Sequence, residues 1–149
     1  MSHIKVLSLT QPWASLVAIG AKRYETRSWR TQWPGFPLAI HAAKGFPSQA
    51  KKFAELQCGT LQQGGYVDQQ DIFDVNRLER GAIIAVCWLA ACYRTEDIRD
   101  RLTKQELAFG DYSDGRWAWE LTDVRRLTTP IPARGALGLW EHEWDNVAY

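Results

Sequence analysis

Residues 11–29, QPWASLVAIGAKRYETRSW, constrain the chain more than any other stretch, because they join a helix with two defined ends to a segment crowded with charge. Pro12 suits the first helical position, where a missing N–H has no partner to lose, and Gln11 or Thr10 can then cap the helix. Gly20, without a Cβ, takes the left-handed conformation that ends it. The spacing therefore predicts a helix over residues 12–19 with Trp13, Leu16 and Val17 on its apolar face. The charged segment that follows reads as a strand. Extended, it points Arg23, Glu25, Arg27 and Trp29 to one face and Lys22, Tyr24, Thr26 and Ser28 to the other, which makes Glu25 and Arg27 neighbours.

The remainder reads as strands with short helices between them. Residues 4–10 form a first strand, and residues 38–43 a second, with Leu38, Ile40 and Ala42 opposite Ala39, His41 and Ala43. Pro34, Gly35 and Pro37 make the segment before it a loop. Ser48 caps a helix that ends near Gly59, and residues 60–77 read as a long connection with a short helix or turn. The apolar run from Ala82 to Tyr93 predicts a central strand, with Ile84, Val86, Trp88 and Ala90 on one face and Ile83, Ala85, Cys87 and Leu89 on the other. Thr95 caps a polar helix, and Thr103 with Glu106 three residues on matches a capping box. Residues 116–121 and 124–127 continue the sheet, Pro130 and Pro132 break pairing or mark an edge, and residues 136–140 form the closing strand.

At 149 residues the chain is the size of one domain, and a single domain over residues 1–149 is expected. Its net charge of +1 excludes a global basic field, so an anionic partner must be met by a local cluster. Three Cys without a C-x-x-C pair leave no complete disulfide framework, and no apolar run reaches the length of a membrane span. The expectation is a cytoplasmic monomer that makes no membrane contact. His3, His41 and His142 lack metal-ligand spacing, and neither a P-loop nor a G-x-G-x-x-G is present, so no metal and no cofactor is expected.

Gly20-x-Lys22-x-x-Glu25-x-Arg27, preceded by Gln11-Pro12-Trp13, resembles the motif of ASCH domains. Three later segments, LAIHAAK at 38–44, FGDYSDGRWAWEL at 109–121 and GALGLWE at 135–141, are similar to later parts of that family and follow in the same order. The resemblance implies a mixed α/β (α+β) fold: a small PUA-like β-barrel of mostly antiparallel strands with peripheral helices. It also implies recognition of nucleic acid, single-stranded RNA before others, or of a modified nucleoside.

Lys22, Glu25 and Arg27 can be an ordinary solvated strand face or the floor of a binding cleft, and the resemblance favours the cleft. There Lys22 supplies a compact charge, Arg27 a planar fork for phosphate or a base edge, and Glu25 orients one of them. The cleft is expected to be framed by the loop FGDYSDG, which carries Asp111 and Tyr112, and by the strand end at His41 and Lys44. Gln11 belongs to the same motif, and Trp13 and Trp29 flank the cluster as stacking surfaces for a base. Trp88, Trp117 and Trp119 read as core. Some small ASCH relatives remove the acetyl group from acetylcytidine with a Lys, a Thr nucleophile and a distal Glu. The alternative is thus an amidohydrolase of that type, or a ribonuclease, with Lys22 as base and Glu25 beside it. Glu25 occupies the position that matches the relatives' Thr, Thr26 points to the other strand face, and Glu106 has a sufficient purpose in its cap.

Overall fold

The computed structural model describes residues 2–63 and 77–145. The first strand, β1 (Ser2–Leu9), leads into helix α1 (Trp13–Ala18), and β2 (Tyr24–Arg27) and β3 (Phe36–Ala42) follow. Helix α2 (Ser48–Gln63) precedes β4 (Ala82–Arg94), then come α3 (Thr95–Ile98), a single 3-10 turn (Arg99–Arg101) and α4 (Lys104–Ala108). Two strands, β5 (Trp117–Pro132) and β6 (Leu139–Trp144), complete the order.

The six strands form one sheet in the order β2-β5-β4-β3-β1-β6. The ladder between β1 and β3 is parallel, and the other four are antiparallel. The expected barrel is corrected here: among the described residues β2 and β6 are the two ends of the order and pair only with β5 and β1, so the sheet is open. What seals the larger apolar face is helix α1, not a closing ladder. Ala14, Val17 and Ala18 pack there against Leu7, Leu9, Leu38, Ile40 and the fully buried Trp119. On the other face Ile4, Val6, Ala39, Ile83 and Val86 are covered by Leu127, Ile131 and Trp140. Among the described residues no helix is long and apolar enough to cross a membrane.

Helix α1 ends at Gly20, whose φ of +81° is the left-handed conformation that a Cβ would strain. Its start is capped from one residue further out than a cap usually sits. Pro12 occupies the cap position and has no side-chain donor or acceptor to offer, so the Gln11 amide oxygen accepts the Ser15 N–H at 3.0 Å. The strand face assigned to β4 also needs correction. Ile84 packs with Ala85, Cys87 and Leu89, while Ile83 packs with Val86, because register shifts between Ile83 and Ala85 insert a bulge that breaks the period of two. Trp88, read as core, is 40% exposed. Pro37 is tolerated in β3 because pairing with β1 begins only at Leu38, which leaves Pro37 one neighbouring strand. Pro130 falls in the stretch between Arg126 and Ile131 where β5 makes no recorded pairing with β4. Gly59 does not end α2, the closing strand starts at Leu139, and residues 64–76 of the expected connection lie outside the described residues.

The capping box is only half formed. Thr103 accepts the Glu106 N–H at 3.1 Å, but the Glu106 carboxylate does not return to the cap. It is buried, and its Oε1 accepts the backbone N–H of Arg23 at 2.8 Å, tying α4 to the start of β2. Burial pushes this carboxyl above the usual range, against the opposing pull of the Arg23 N–H and the Lys22 charge. The folded chain therefore holds this proton to higher pH than the unfolded chain does, and stability is lost as pH rises from the ordinary carboxylate range through the raised value. Glu106→Gln removes that titration. Urea unfolding of both proteins between about pH 4 and about pH 7 should show the stability difference moving steadily in the variant's favour as pH rises. A difference that stays constant across the range would contradict the assignment.

Candidate functional site

The charged segment folds differently from a plain strand at its first residues, and that difference creates the site. After Gly20 the chain turns, with Ala21 and Lys22 both donating their N–H to the Leu16 carbonyl, and β2 begins only at Tyr24. Lys22 is thereby released from the strand alternation that would have opposed it to Glu25. Its side chain is 0% exposed, and its ammonium donates to the carbonyls of Tyr24 and of Phe109, the latter at 3.0 Å. Glu25 Oε1 stands 3.5 Å from the same nitrogen. Three acceptors thus face three N–H donors.

Glu25, 9% exposed, passes the constraint on. Its Oε2 receives Arg27 Nε at 3.0 Å and Arg27 Nη2 at 2.9 Å, a two-pronged pair. Arg27 Nη2 also donates to the Ser8 carbonyl at 2.9 Å, so the chain Lys22, Glu25, Arg27, Ser8 runs from the interior to the end of β1.

Two clefts meet at that point. The larger, of about 990 Å3, holds Arg27, His41, Lys44, Arg80 and Arg134 among its lining residues, with no Asp or Glu among the described residues there. The smaller, of about 620 Å3, is lined by Glu25, Thr26, Asp111 and Arg116 together with Trp13, Phe53 and Phe109. Ser8, Thr10 and Arg27 line both. In the smaller cleft Trp13 stacks on Phe53 with ring centres 5.4 Å apart. The Thr26 hydroxyl accepts the Asp111 N–H at 3.0 Å; because β2 is an edge strand wrapped by the loop from Phe109, Thr26 and Glu25 both reach this cleft. Hydrogen bonds from the Ser113 hydroxyl and N–H, with Arg116 nearby, hold the Asp111 carboxyl below the usual range.

The expected cleft is in fact two. Lys44 and His41 line one and Asp111 and Trp13 the other, with Arg27 in both. Lys22 lines neither, being sealed below Glu25. Gln11 is fully buried and its amide is spent on Ser15 and on the Glu79 carbonyl. Trp29 packs edge-on against Trp119, and its backbone carbonyl accepts the Trp119 indole N–H; Tyr112 is buried beside Ile98 and Ala118. Trp117 is not core alone, for the guanidinium groups of Arg30 and Arg94 lie 4.8 and 4.7 Å from its ring.

Sequence reasoning missed Ser8, Arg80 and Arg134. Ser8 interrupts an apolar strand just before Gln11-Pro12, and Arg134 stands between Pro132 and Gly135, signals of a polar strand end and of a turn. Arg80 carried no local signal. Among the described residues no group of three or more His, Cys, Asp or Glu is arranged to hold a metal ion.

An open mixed sheet plugged by one helix, with a buried ion-pair chain beneath a junction of clefts, defines a small single-sheet α/β domain. The ASCH domain model matches residues 7–131, and the chain belongs to the ASCH domain family, whose fold is PUA-like. Among solved structures, ASCH from Zymomonas mobilis superposes with a TM-score of 0.50 at 16% identity, covering 86% of this chain and 72% of that one. A tyrosine-to-phenylalanine mutant of the same Zymomonas mobilis protein gives a TM-score of 0.50 at 15% identity, covering 86% and 74%. At such identity the likeness concerns the fold. A segment of 55 residues is 40% identical to human anoctamin-7, covering 36% of this chain and 6% of that protein.

The ion-pair chain makes an energetic prediction. Removing one partner of a buried pair costs about 3–5 kcal/mol, because the other charge stays buried and uncompensated. Glu25→Gln should lose stability on that scale in urea unfolding, and so should Glu25→Thr. Lys22→Met combined with Glu25→Gln should cost clearly less than the two single losses added together. Strict additivity would show that the two groups do not interact.

Proposed function

We propose that this domain binds single-stranded nucleic acid, RNA before DNA, with the sugar–phosphate backbone in the larger cleft and one base, including a modified base, in the smaller. The observation that carries this reading is the charge of the larger cleft: Arg27, Lys44, Arg80 and Arg134 line it without a carboxylate among the described residues, on a chain whose net charge is only +1. Such a concentration suits a row of phosphates, which accept from guanidinium and ammonium donors. The smaller cleft suits a base. Trp13 and Phe53 offer aromatic surface, Glu25 and Asp111 offer acceptors for exocyclic amino groups, and the cations there, Arg27 and Arg116, are already paired with those carboxylates. Membership of a PUA-like family supports the same class of ligand.

The amidohydrolase alternative with Lys22 as base is less well supported. Its ammonium is enclosed by the Tyr24 and Phe109 carbonyls and Glu25 and opens to neither cleft. On the binding reading Lys22 is a positioning residue that fixes Glu25 and, through it, Arg27.

Fluorescence titration of a labelled single-stranded RNA against wild type and the triple variant Lys44→Ala, Arg80→Ala, Arg134→Ala tests the assignment. The variant should bind at least about tenfold more weakly. Its slope of log affinity against log salt should fall by about 2, at about 0.7 per lost phosphate contact on a single strand. Equal affinity and slope in both proteins would refute the cleft, and an absence of binding to wild type at low salt would refute the function.

A further inference from the structure

The inner end of the larger cleft holds a pair of side chains that binding a polyanion does not require. The Ser8 hydroxyl lies 2.9 Å from His41 Nδ1, and His41 Nε2 lies 2.8 Å from the Ala133 carbonyl oxygen. A carbonyl can only accept, so Nε2 carries the proton, and in the neutral ring Nδ1 presents its lone pair to Ser8. The Trp140 indole N–H donates to the same Ser8 oxygen at 3.0 Å, which leaves the hydroxyl proton for His41. A hydroxyl, a base within hydrogen-bond reach and a third group that orients the base are the parts of an activated nucleophile.

The surroundings suit that use. Ser8 lines both clefts, whereas His41 is 1% exposed and walled by Trp140, whose ring centre is 5.4 Å away. Gly135 packs against the pair. A Cβ at that position would lie 2.8 Å from His41 Cε1 and 3.0 Å from Ser8 Oγ, so any larger residue there would force the pair to shift. Arg27 donates to the backbone carbonyl of Ser8 and lines both clefts with it, which puts a guanidinium at the same end of the cleft.

The geometry points to a second capacity of this cleft: Ser8 and His41 form a nucleophile–base pair that hydrolyses carboxylic esters of phosphate-bearing ligands. Ser8 Oγ forms a bond to the acyl carbon while its proton passes to His41 Nδ1, and the carbonyl electron pair moves onto the acyl oxygen, toward Arg27. Collapse of this adduct breaks the ester C–O bond, and the departing alcohol takes the proton from Nδ1. Water then attacks the acyl-Ser8 with His41 again accepting a proton, the carboxylic acid leaves, and Ser8 recovers its hydrogen. The imidazolium in between has an acceptor at each N–H, Ala133 at Nε2 and Ser8 at Nδ1. Its orienting group is a neutral carbonyl and not a carboxylate. The base is correspondingly weakly supported, which suits the alkoxide of an ester better than the poorer leaving group of an amide. The phosphate in the substrate class rests on the anion-binding reading of this cleft given above; the pair itself does not.

The test uses the whole chain and a fluorophosphonate, which phosphonylates an activated serine whatever its substrate. Intact mass should rise by one adduct, mapped by fragmentation to Ser8. Ser8→Ala should not be labelled, and His41→Gln should be labelled at least about a hundredfold more slowly, the scale of losing a general base. Gly135→Ala retains both side chains but forces them out of this geometry, and should also slow labelling while circular dichroism shows it folded. Short single-stranded RNA or inorganic phosphate should slow the labelling of wild type. An unlabelled Ser8 in folded wild type would overturn the proposal, as would labelling of folded His41→Gln at the wild-type rate. Labelling that neither anion slows would overturn the phosphate-bearing substrate class. RNA binding measured on the same samples separates the two readings: labelled protein that binds no RNA counts against the binding function alone.

Discussion

A fully buried ammonium is the constraint on which the rest of this molecule depends. Stripping Lys22 of water costs several kcal/mol after relaxation, and that cost is offset only if every N–H finds an acceptor and a counter-charge stands near. The fold supplies these from three places: the Tyr24 carbonyl in β2, the Phe109 carbonyl after α4, and Glu25. The contrast with the pair between Lys5 and Glu141 is instructive. Those groups are 3.7 Å apart with side chains 47% and 61% exposed, and such a pair contributes about 0–1 kcal/mol. The surface pair decorates the sheet, whereas the buried pair fixes the edge strand β2, the loop after α4 and the turn after α1 in one arrangement.

Because Glu25 must answer Lys22 with one oxygen, its other oxygen is free to hold Arg27 in a single pose. Arg27 then meets the end of β1 through the Ser8 carbonyl, and the boundary between the two clefts is set. A long, flexible guanidinium would otherwise lose rotamer entropy when a ligand arrives. Here that entropy is already lost on folding. On the proposed reading, stability and ligand recognition therefore draw on the same residues, and a substitution meant to probe chemistry at Glu25 also tests the fold.

How much of this could be read from the sequence follows from the range of each interaction. The helix between Pro12 and Gly20, the strands at β3 and β4 and the contact of Glu25 with Arg27 depend on neighbours a few residues apart, and local periodicity carries them. The bulge in β4 moves Ile84 to the other face through pairing with β5, a strand far along the chain, which no local pattern contains. The Lys22 environment was hidden for a related reason. Strand alternation assigns Lys22 and Glu25 to opposite faces, and only the turn that delays β2 until Tyr24 reverses this. Glu106 satisfied a capping pattern, yet its carboxylate serves Arg23, because the buried carboxylate needed a donor and the backbone N–H at the entry to β2 supplies one. Ser8, Arg80 and Arg134 come together from three distant segments, so their meeting is a property of topology.

The distribution of charge also determines what kind of binder this can be. A protein at +1 generates no long-range field to steer a polyanion, and beyond about 10 Å at ordinary ionic strength its charges are screened in any event. Attraction must then arise at contact, inside the two clefts. The two differ in composition: the larger gathers cations without a carboxylate among its described residues, and the smaller balances Glu25 and Asp111 with Arg27 and Arg116 beside an aromatic wall. In the smaller cleft each carboxylate is already paired with a cation, Glu25 with Arg27 and Asp111 with Arg116. On the proposed reading a phosphate therefore gains more from the unopposed cations of the larger cleft, and a nucleotide lies with its phosphate on that side of Arg27 and its base on the other.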